Sequence, residues 1–110
     1  MTKLFKLSIR YVPDFYYKRI LFYEDHTKYL HSITNNLLSD NKYLIGGTTF
    51  PTDKAIWYLK GLEEEEIGKI LQNDPFMKAG LIDEWKIKRM EIFGRTSVEG
   101  VSNVYDYTCI

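Results

Sequence analysis

Residues 51–72, PTDKAIWYLKGLEEEEIGKILQ, hold a turn, a strand and the start of a helix in direct succession. The first three residues, Pro-Thr-Asp, are typical of turns, and residues 54–60 are rich in the aromatic and branched side chains that strands favour. Gly61 ends the strand. A helix follows from about Glu63, because the next apolar side chains recur at spacings of three and four residues.

The residues before this unit predict two strands and one helix. Lys3 to Val12 alternates apolar and polar side chains, the period of a strand with one covered face, and Pro13 ends it because proline has no N–H to donate. The next helix lies within Phe15 to Asp40, and the part up to Tyr23 reads as either loop or a separate turn. Tyr43 to Phe50 reads as the second strand.

The residues after the second helix predict one more strand and an extension. Asp74 to Gly80 reads as a short turn or half helix, and Asp83 to Phe93 alternates as a fourth strand. With right-handed crossovers, the order βαββαβ gives an α+β, ferredoxin-like fold: a four-stranded antiparallel sheet with both helices on one face. We therefore predict one domain over residues 1–93 and a C-terminal extension over residues 94–110, which forms an edge strand or an arm onto a partner.

Large rings on both faces of the third strand predict a homodimer. Trp57 and Tyr58 are adjacent, so their side chains point to opposite faces of the sheet. Helices cover one face only, and rings on an uncovered face would form a larger apolar patch than monomers usually expose. Stacking two such sheets covers the rings, so we expect a homodimer with the architecture of a dimeric α/β barrel.

The composition argues against several classes of protein. The 15 basic and 15 acidic side chains balance, whereas nucleic-acid-binding domains usually carry a basic excess, so we expect no nucleic-acid partner. The single cysteine, Cys109, permits no internal disulfide. No apolar run reaches transmembrane length or resembles a signal peptide, so we expect no membrane partner and a cytoplasmic protein.

Two residues have side chains suited to acid–base chemistry. His26 lies in the first predicted helix, and histidine is the usual general acid or base near neutral pH; the alternative is a solvent-facing helix histidine. Asp74 precedes Pro75, a position where aspartate usually caps a turn by accepting local N–H groups. The functional alternative for Asp74 is a carboxylate that orients a histidine.

No pattern indicates a metal or a cofactor. His31 is five residues after His26, about 140° around a helix, so the two do not bind one metal from one face. No cluster of Cys, His, Asp or Glu has the spacing of metal ligands. The Gly46-Gly47 pair lacks the setting of a phosphate-binding loop, and glycine within a strand more often marks a bulge or a close backbone approach. Glu63–Glu66 suits the positive end of a helix and is expected to be a solvated face.

Several segments, taken together, resemble the YCII-related (YciI-like) family. The order and spacing of these segments match the family over residues 3–93, which a single short motif would not do. The resemblance implies a ferredoxin-like dimer, similar in fold to muconolactone-isomerase-like proteins. The segments that carry it are YEDHTKYL at 23–30, YLIGG at 43–47, GLEEEE at 61–66, NDPF at 73–76 and KAGL at 78–81.

The resemblance implies an active site built on a His–Asp pair, which maps here to His26 and Asp74. Family members often have an arginine where this chain has Tyr23, and many have Gly-Pro in place of the glycine pair; the missing arginine removes an anchor for an anionic substrate. Some relatives act in dehalogenation or lactone chemistry. The residues that we expect to bind substrate around the pair are Tyr23, Tyr29, Gly46, Gly47 and Phe76.

Two functions fit these observations. The first is a small enzyme, without a cofactor, in which His26 is oriented by Asp74 and transfers a proton on a small organic acid, lactone or halogenated compound. The second is a non-catalytic small-ligand-binding or interaction module on the same dimeric fold, and fold alone does not choose between them. The two hypotheses differ in whether the pair opens into a cleft or is sealed in packing.

Overall fold

The computed structural model of the chain describes residues 3–91, and the statements below concern that range. The predicted extension, residues 94–110, and Cys109 lie outside it. The elements in chain order are β1 (Leu4–Tyr11), α1 (Phe15–Lys18), a 3-10 turn (Arg19–Leu21), α2 (Tyr23–Ser39), β2 (Tyr43–Thr48), β3 (Lys54–Lys60), α3 (Glu64–Gln72), α4 (Pro75–Lys78) and β4 (Ile82–Met90).

The four strands form one antiparallel sheet in the order β2-β3-β1-β4. β1 lies in the middle, and its Leu7 is paired with Trp57 on one side and with Ile87 on the other. Alternate residues of β1 are buried, as the period of two predicts. The α+β, ferredoxin-like fold with a four-stranded antiparallel sheet is therefore confirmed.

The helices pack on the face of the sheet that carries the buried row of β1. Leu37 of α2 and Ile67 and Leu71 of α3 belong to the same core cluster as that row. The glutamates of residues 63–66 stay exposed at the start of α3, where the Glu63 N–H donates to the Glu66 carboxylate at 3.1 Å. The opposite face of the sheet carries no helix of the described chain. The buried residues that form the core cluster are Phe5, Leu7, Ile9, Tyr11, Phe15, Leu37, Ala55, Trp57, Leu59, Leu62, Ile67, Leu71, Phe76 and Leu81.

Several boundaries differ from the sequence prediction, among them β4, which begins at Ile82 rather than at Asp83 and ends at Met90. The segment read as either loop or a separate turn forms α1 and the 3-10 turn, with Phe15 as its buried residue. β2 ends at Thr48 rather than at Phe50, because Thr49 already belongs to the turn. The Thr49 hydroxyl donates to the Pro51 carbonyl and to the Asp53 carboxylate, both at 2.9 Å. None of the helices in residues 3–91 is long and apolar enough to cross a membrane.

Candidate active site

Asp74 is positioned by the junction between α3 and α4. It occupies the N-cap of α4, with Pro75 as the first helical residue, a position that suits proline because its missing N–H has no partner there anyway. The Asp74 carboxylate oxygen Oδ1 accepts the N–H of Phe76 at 2.9 Å. Only 1% of the Asp74 side chain is exposed, so this carboxylate needs hydrogen-bond partners inside the protein.

His26 supplies the second partner of the same oxygen. It lies in the first turn of α2, and its Nδ1 is 2.7 Å from Asp74 Oδ1 across a separation of 48 residues. The His26 side chain is 12% exposed. The structure therefore brings the two sequence-predicted residues together, and Asp74 is at once the helix cap and the partner of the histidine.

The pairing leaves the other imidazole nitrogen of His26 available. An ionised carboxylate only accepts hydrogen bonds, so the shared proton lies on Nδ1 and the neutral imidazole keeps a lone pair on Nε2. Nε2 has no hydrogen-bond partner in residues 3–91, yet no buried polar side-chain atom in that range is unpartnered. Nε2 must therefore be accessible, and the side chain to which it belongs lines a cavity.

The ring of Phe76 fixes the plane of the imidazole. The two rings are stacked, with centroids 3.9 Å apart and planes 13° from parallel. Phe76 in turn meets Phe15 edge-on at 5.1 Å. Asp74 and Phe76 are two residues apart in one short segment, so the same turn of chain holds His26 by one hydrogen bond and one ring contact.

The cavity has a volume of about 560 Å³ and opens to solvent beside His26. Three of the five predicted binding residues line it, namely Tyr23, Gly47 and Phe76. His26 thus reaches the cavity, whereas its partner Asp74 is itself buried. The full lining consists of Tyr11, Phe15, Arg19, Tyr23, His26, Thr27, Leu30, His31, Thr34, Gly47, Thr48, Thr52 and Phe76.

The other two predicted binding residues have packing roles. The Tyr29 hydroxyl donates to the Ile70 carbonyl at 2.7 Å, so it ties α2 to α3 instead of lining the cavity. At Gly46 an added Cβ would lie 2.7 Å from Cδ1 of Trp57, so the backbone of β2 approaches that ring closely. This is the close backbone approach that glycine within a strand often marks.

Arg19 and Tyr11 also line the cavity, and neither was predicted to bind substrate. Arg19 lies in the 3-10 turn, in a segment whose conformation the periodicity left open, and its guanidinium lies over the rings of Tyr16 and Tyr23, at 4.6 and 4.9 Å from their centroids. Tyr11 belongs to the apolar row of β1 and read as a core residue. The signal that could have identified Tyr11 was its hydroxyl, the polar group on the last side chain of this otherwise apolar row.

The Asp74 charge acts on two nearby phenols. Burial raises the pKa of Tyr11 well above its usual range, and the Asp74 carboxylate raises it further. The same two causes, in the same order, raise the pKa of Tyr29. Both hydroxyls are therefore neutral donors at physiological pH.

The site contains no candidate metal centre in the described part of the chain. No group of three or more His, Cys, Asp or Glu side chains in residues 3–91 is arranged to hold a metal ion. His31 does line the same cavity as His26, although the helical spacing predicted that the two point in different directions. His31 forms no ion pair or side-chain hydrogen bond within that range.

The chain matches no protein-family model and no curated protein. Among solved structures it is similar to 5-chloro-2-hydroxyhydroquinone dehydrochlorinase from Burkholderia phenoliruptrix AC1100, in complex with 2,5-dihydroxybenzoquinone. The two chains are 25% identical, with a TM-score of 0.64, and the match covers 80% of this chain and 93% of that one. This similarity supports the assignment of the ferredoxin-like α+β fold.

Proposed function

We propose that this protein is a small acid–base enzyme in which His26 transfers a proton on a small ring compound and Asp74 orients His26. The observation that carries the proposal is the 2.7 Å contact between His26 Nδ1 and Asp74 Oδ1 at the wall of an open cavity. A carboxylate on one imidazole nitrogen selects the tautomer and stabilises the charged imidazolium. The accessible Nε2 then takes the proton from a substrate and passes it to the product or to water, which regenerates the base.

The solved neighbour supports a halogenated or oxygenated ring as the substrate. Its name describes dehydrochlorination of a chlorinated hydroquinone, and its bound ligand is a dihydroxybenzoquinone. Loss of HCl needs one group that removes a proton, while chloride leaves with the bonding electrons. His26 has the right chemistry for that step, because an imidazole works as a base near neutral pH. The same pair of side chains suits a small organic acid or a lactone, and it agrees with the resemblance to the YCII-related family.

Chloride release tests the proposal directly. We expect the protein to release chloride from 5-chloro-2-hydroxyhydroquinone, and we expect His26→Ala to lower the rate by roughly 10²–10⁴-fold, the range typical of acid–base groups. Asp74→Asn, which removes the charge and keeps the shape, should slow the reaction as well. Asp25→Asn is the matched control, because Asp25 is an exposed aspartate on the same helix as His26 and does not line the cavity.

The second candidate function is a non-catalytic ligand-binding module. The size of the cavity favours it as much as it favours an enzyme, since a volume of 560 Å³ accommodates a small organic ligand in either case. Tight binding of the quinone without chloride release, unchanged in His26→Ala, would support the binding module and contradict the enzyme.

We also propose that the protein is a homodimer whose subunits stack through the helix-free face of the sheet. Ile45 is 39% exposed there, and Tyr58 and Ile56 of β3 lie half-buried on the same face. Lys6 pairs with Tyr58 and with Lys88 in the sheet register, so lysines share this face. Because like charges repel across such an interface, we expect sedimentation to show a dimer that tightens as salt rises. A monomer at tens of micromolar in high salt would contradict the proposal.

A further inference from the structure

The cavity wall beside His26 holds a hydroxyl without a protein partner. Tyr11 is 6% exposed, and its ring is stacked on Phe15 with centroids 3.6 Å apart. The Tyr11 hydroxyl makes no hydrogen bond within residues 3–91, unlike the Tyr29 hydroxyl, which donates to Ile70. Because no buried polar side-chain atom in that range is unpartnered, the Tyr11 hydroxyl must reach one of the two cavities that Tyr11 lines. The cavity beside His26 is the one next to Asp74, the carboxylate whose charge acts on this hydroxyl.

Ring contacts place Tyr11 one side chain away from His26. The Tyr11 ring meets Phe76 edge-on at 6.3 Å, and Phe76 is stacked on His26 at 3.9 Å. The Asp74 carboxylate is close enough to raise the pKa of Tyr11, in addition to the larger effect of burial. Tyr11 therefore stays protonated and presents an O–H donor to the cavity throughout the neutral pH range.

Arg19 brings a positive charge to the same cavity. Its guanidinium is held over the rings of Tyr16 and Tyr23, and its Nε donates to the Tyr16 carbonyl at 3.2 Å. None of the ion pairs in the described part of the chain involves Arg19. A planar guanidinium with no carboxylate partner is suited to pair with an anionic oxygen, and it offers several N–H groups in a fixed plane.

We propose that the substrate is a small planar ring compound with an anionic oxygen, which pairs with Arg19, while a second oxygen accepts a hydrogen bond from Tyr11. The proposal rests on the proposed function for the identity of the site and adds the substrate class and two binding residues. Phe15 and Phe76 line the same cavity as the two polar groups, and aromatic lining suits a ring compound. Arg19 thereby provides a cationic anchor for an anionic substrate oxygen, which Tyr23 cannot provide.

A matched pair of quinones tests the substrate class. We would titrate the protein by calorimetry with 2,5-dihydroxybenzoquinone, which is anionic in neutral water, and with 2,5-dimethoxybenzoquinone, which has the same ring and no charge. The unmodified protein should bind the dihydroxy compound at least about tenfold more tightly, the value of one charge-assisted hydrogen bond. Arg19→Gln should abolish this preference, and Arg19→Lys, which keeps the charge, should retain part of it.

Tyr11→Phe tests the hydroxyl alone, because it keeps the stacked ring. We expect about a tenfold loss of affinity for 2,5-dihydroxybenzoquinone, since one hydrogen bond to a charged ligand is removed. Tyr17→Phe is the control, because Tyr17 is 72% exposed and does not line this cavity. The affinity of this variant for 2,5-dihydroxybenzoquinone should stay unchanged. Circular dichroism of each variant checks that the fold is intact.

Three results would overturn the substrate class: no binding of either quinone, equal affinities for the two, or unchanged affinities in both Tyr11→Phe and Arg19→Gln. Failure of the proposed function has a different signature. In that case no chloride is released, or His26→Ala releases it at the normal rate, while quinone binding still depends on Tyr11 and Arg19.

Discussion

The contact between His26 and Asp74 should contribute measurably to stability, and a double-mutant cycle can isolate it. Asp74 Oδ1 accepts two N–H groups, from His26 and from Phe76, at 2.7 and 2.9 Å. Loss of a helix N-cap costs about 1 kcal/mol, and loss of a hydrogen bond to a charged group costs about 1.5–3 kcal/mol. Asp74→Ala should therefore lower the free energy of unfolding by about 3 kcal/mol in total. In a His26→Ala background only the cap remains to be lost, so the coupling energy should be about 2 kcal/mol.

Urea unfolding followed by tryptophan fluorescence measures all four corners of the cycle, because Trp57 is buried in the native state. Asp74→Ser is the matched control. Serine keeps an acceptor for the Phe76 N–H but is too short to reach His26, so Asp74→Ser should cost about 1 kcal/mol less than Asp74→Ala. A coupling energy below about 0.5 kcal/mol, as for an exposed ion pair, would refute the reasoning. It would mean that water already satisfies the imidazole.

Two further predictions concern packing and pH. Gly46→Ala should lower stability by about 1–3 kcal/mol, because its Cβ would lie 2.7 Å from Trp57, whereas Gly47→Ala has nothing within 4 Å of its Cβ and should stay within about 0.5 kcal/mol in the same urea assay. Equal costs for the two variants would contradict the close approach. Stability should also fall as pH rises above about 10, since the unfolded tyrosines then release protons that Tyr11 and Tyr29, with raised pKa values, retain in the folded state. Tyr11→Phe should flatten this alkaline loss, and parallel curves for the two proteins would count against a raised pKa of Tyr11.

The candidate site was predictable from the sequence only in part. The pairing of His26 with Asp74 came from the family resemblance, because local signals left a solvent-facing histidine open and favoured a simple turn cap for Asp74. The structure shows that the cap and the pairing are compatible, since one carboxylate oxygen serves both. Tyr29 was expected at the cavity because it is one helical turn from His26, yet its hydroxyl is drawn to a backbone carbonyl of α3. A helical spacing says which side chains are neighbours, but not which acceptor a neighbouring element will present.

Local patterns in the sequence predicted the order and type of the four strands and the two long helices, because periodicity and turn residues act between positions close in the chain. Residues 54–60 and the alternating row of β1 have the same conformation in the structure as in the prediction. Which groups share the cavity depends on how distant segments pack together. A 3-10 turn without periodicity carries Arg19 to its wall, and a strand end carries the Tyr11 hydroxyl there. The reason is physical: the desolvation of Asp74, the freedom of the Tyr11 hydroxyl and the missing carboxylate partner of Arg19 all depend on packing between distant segments, which no local pattern encodes.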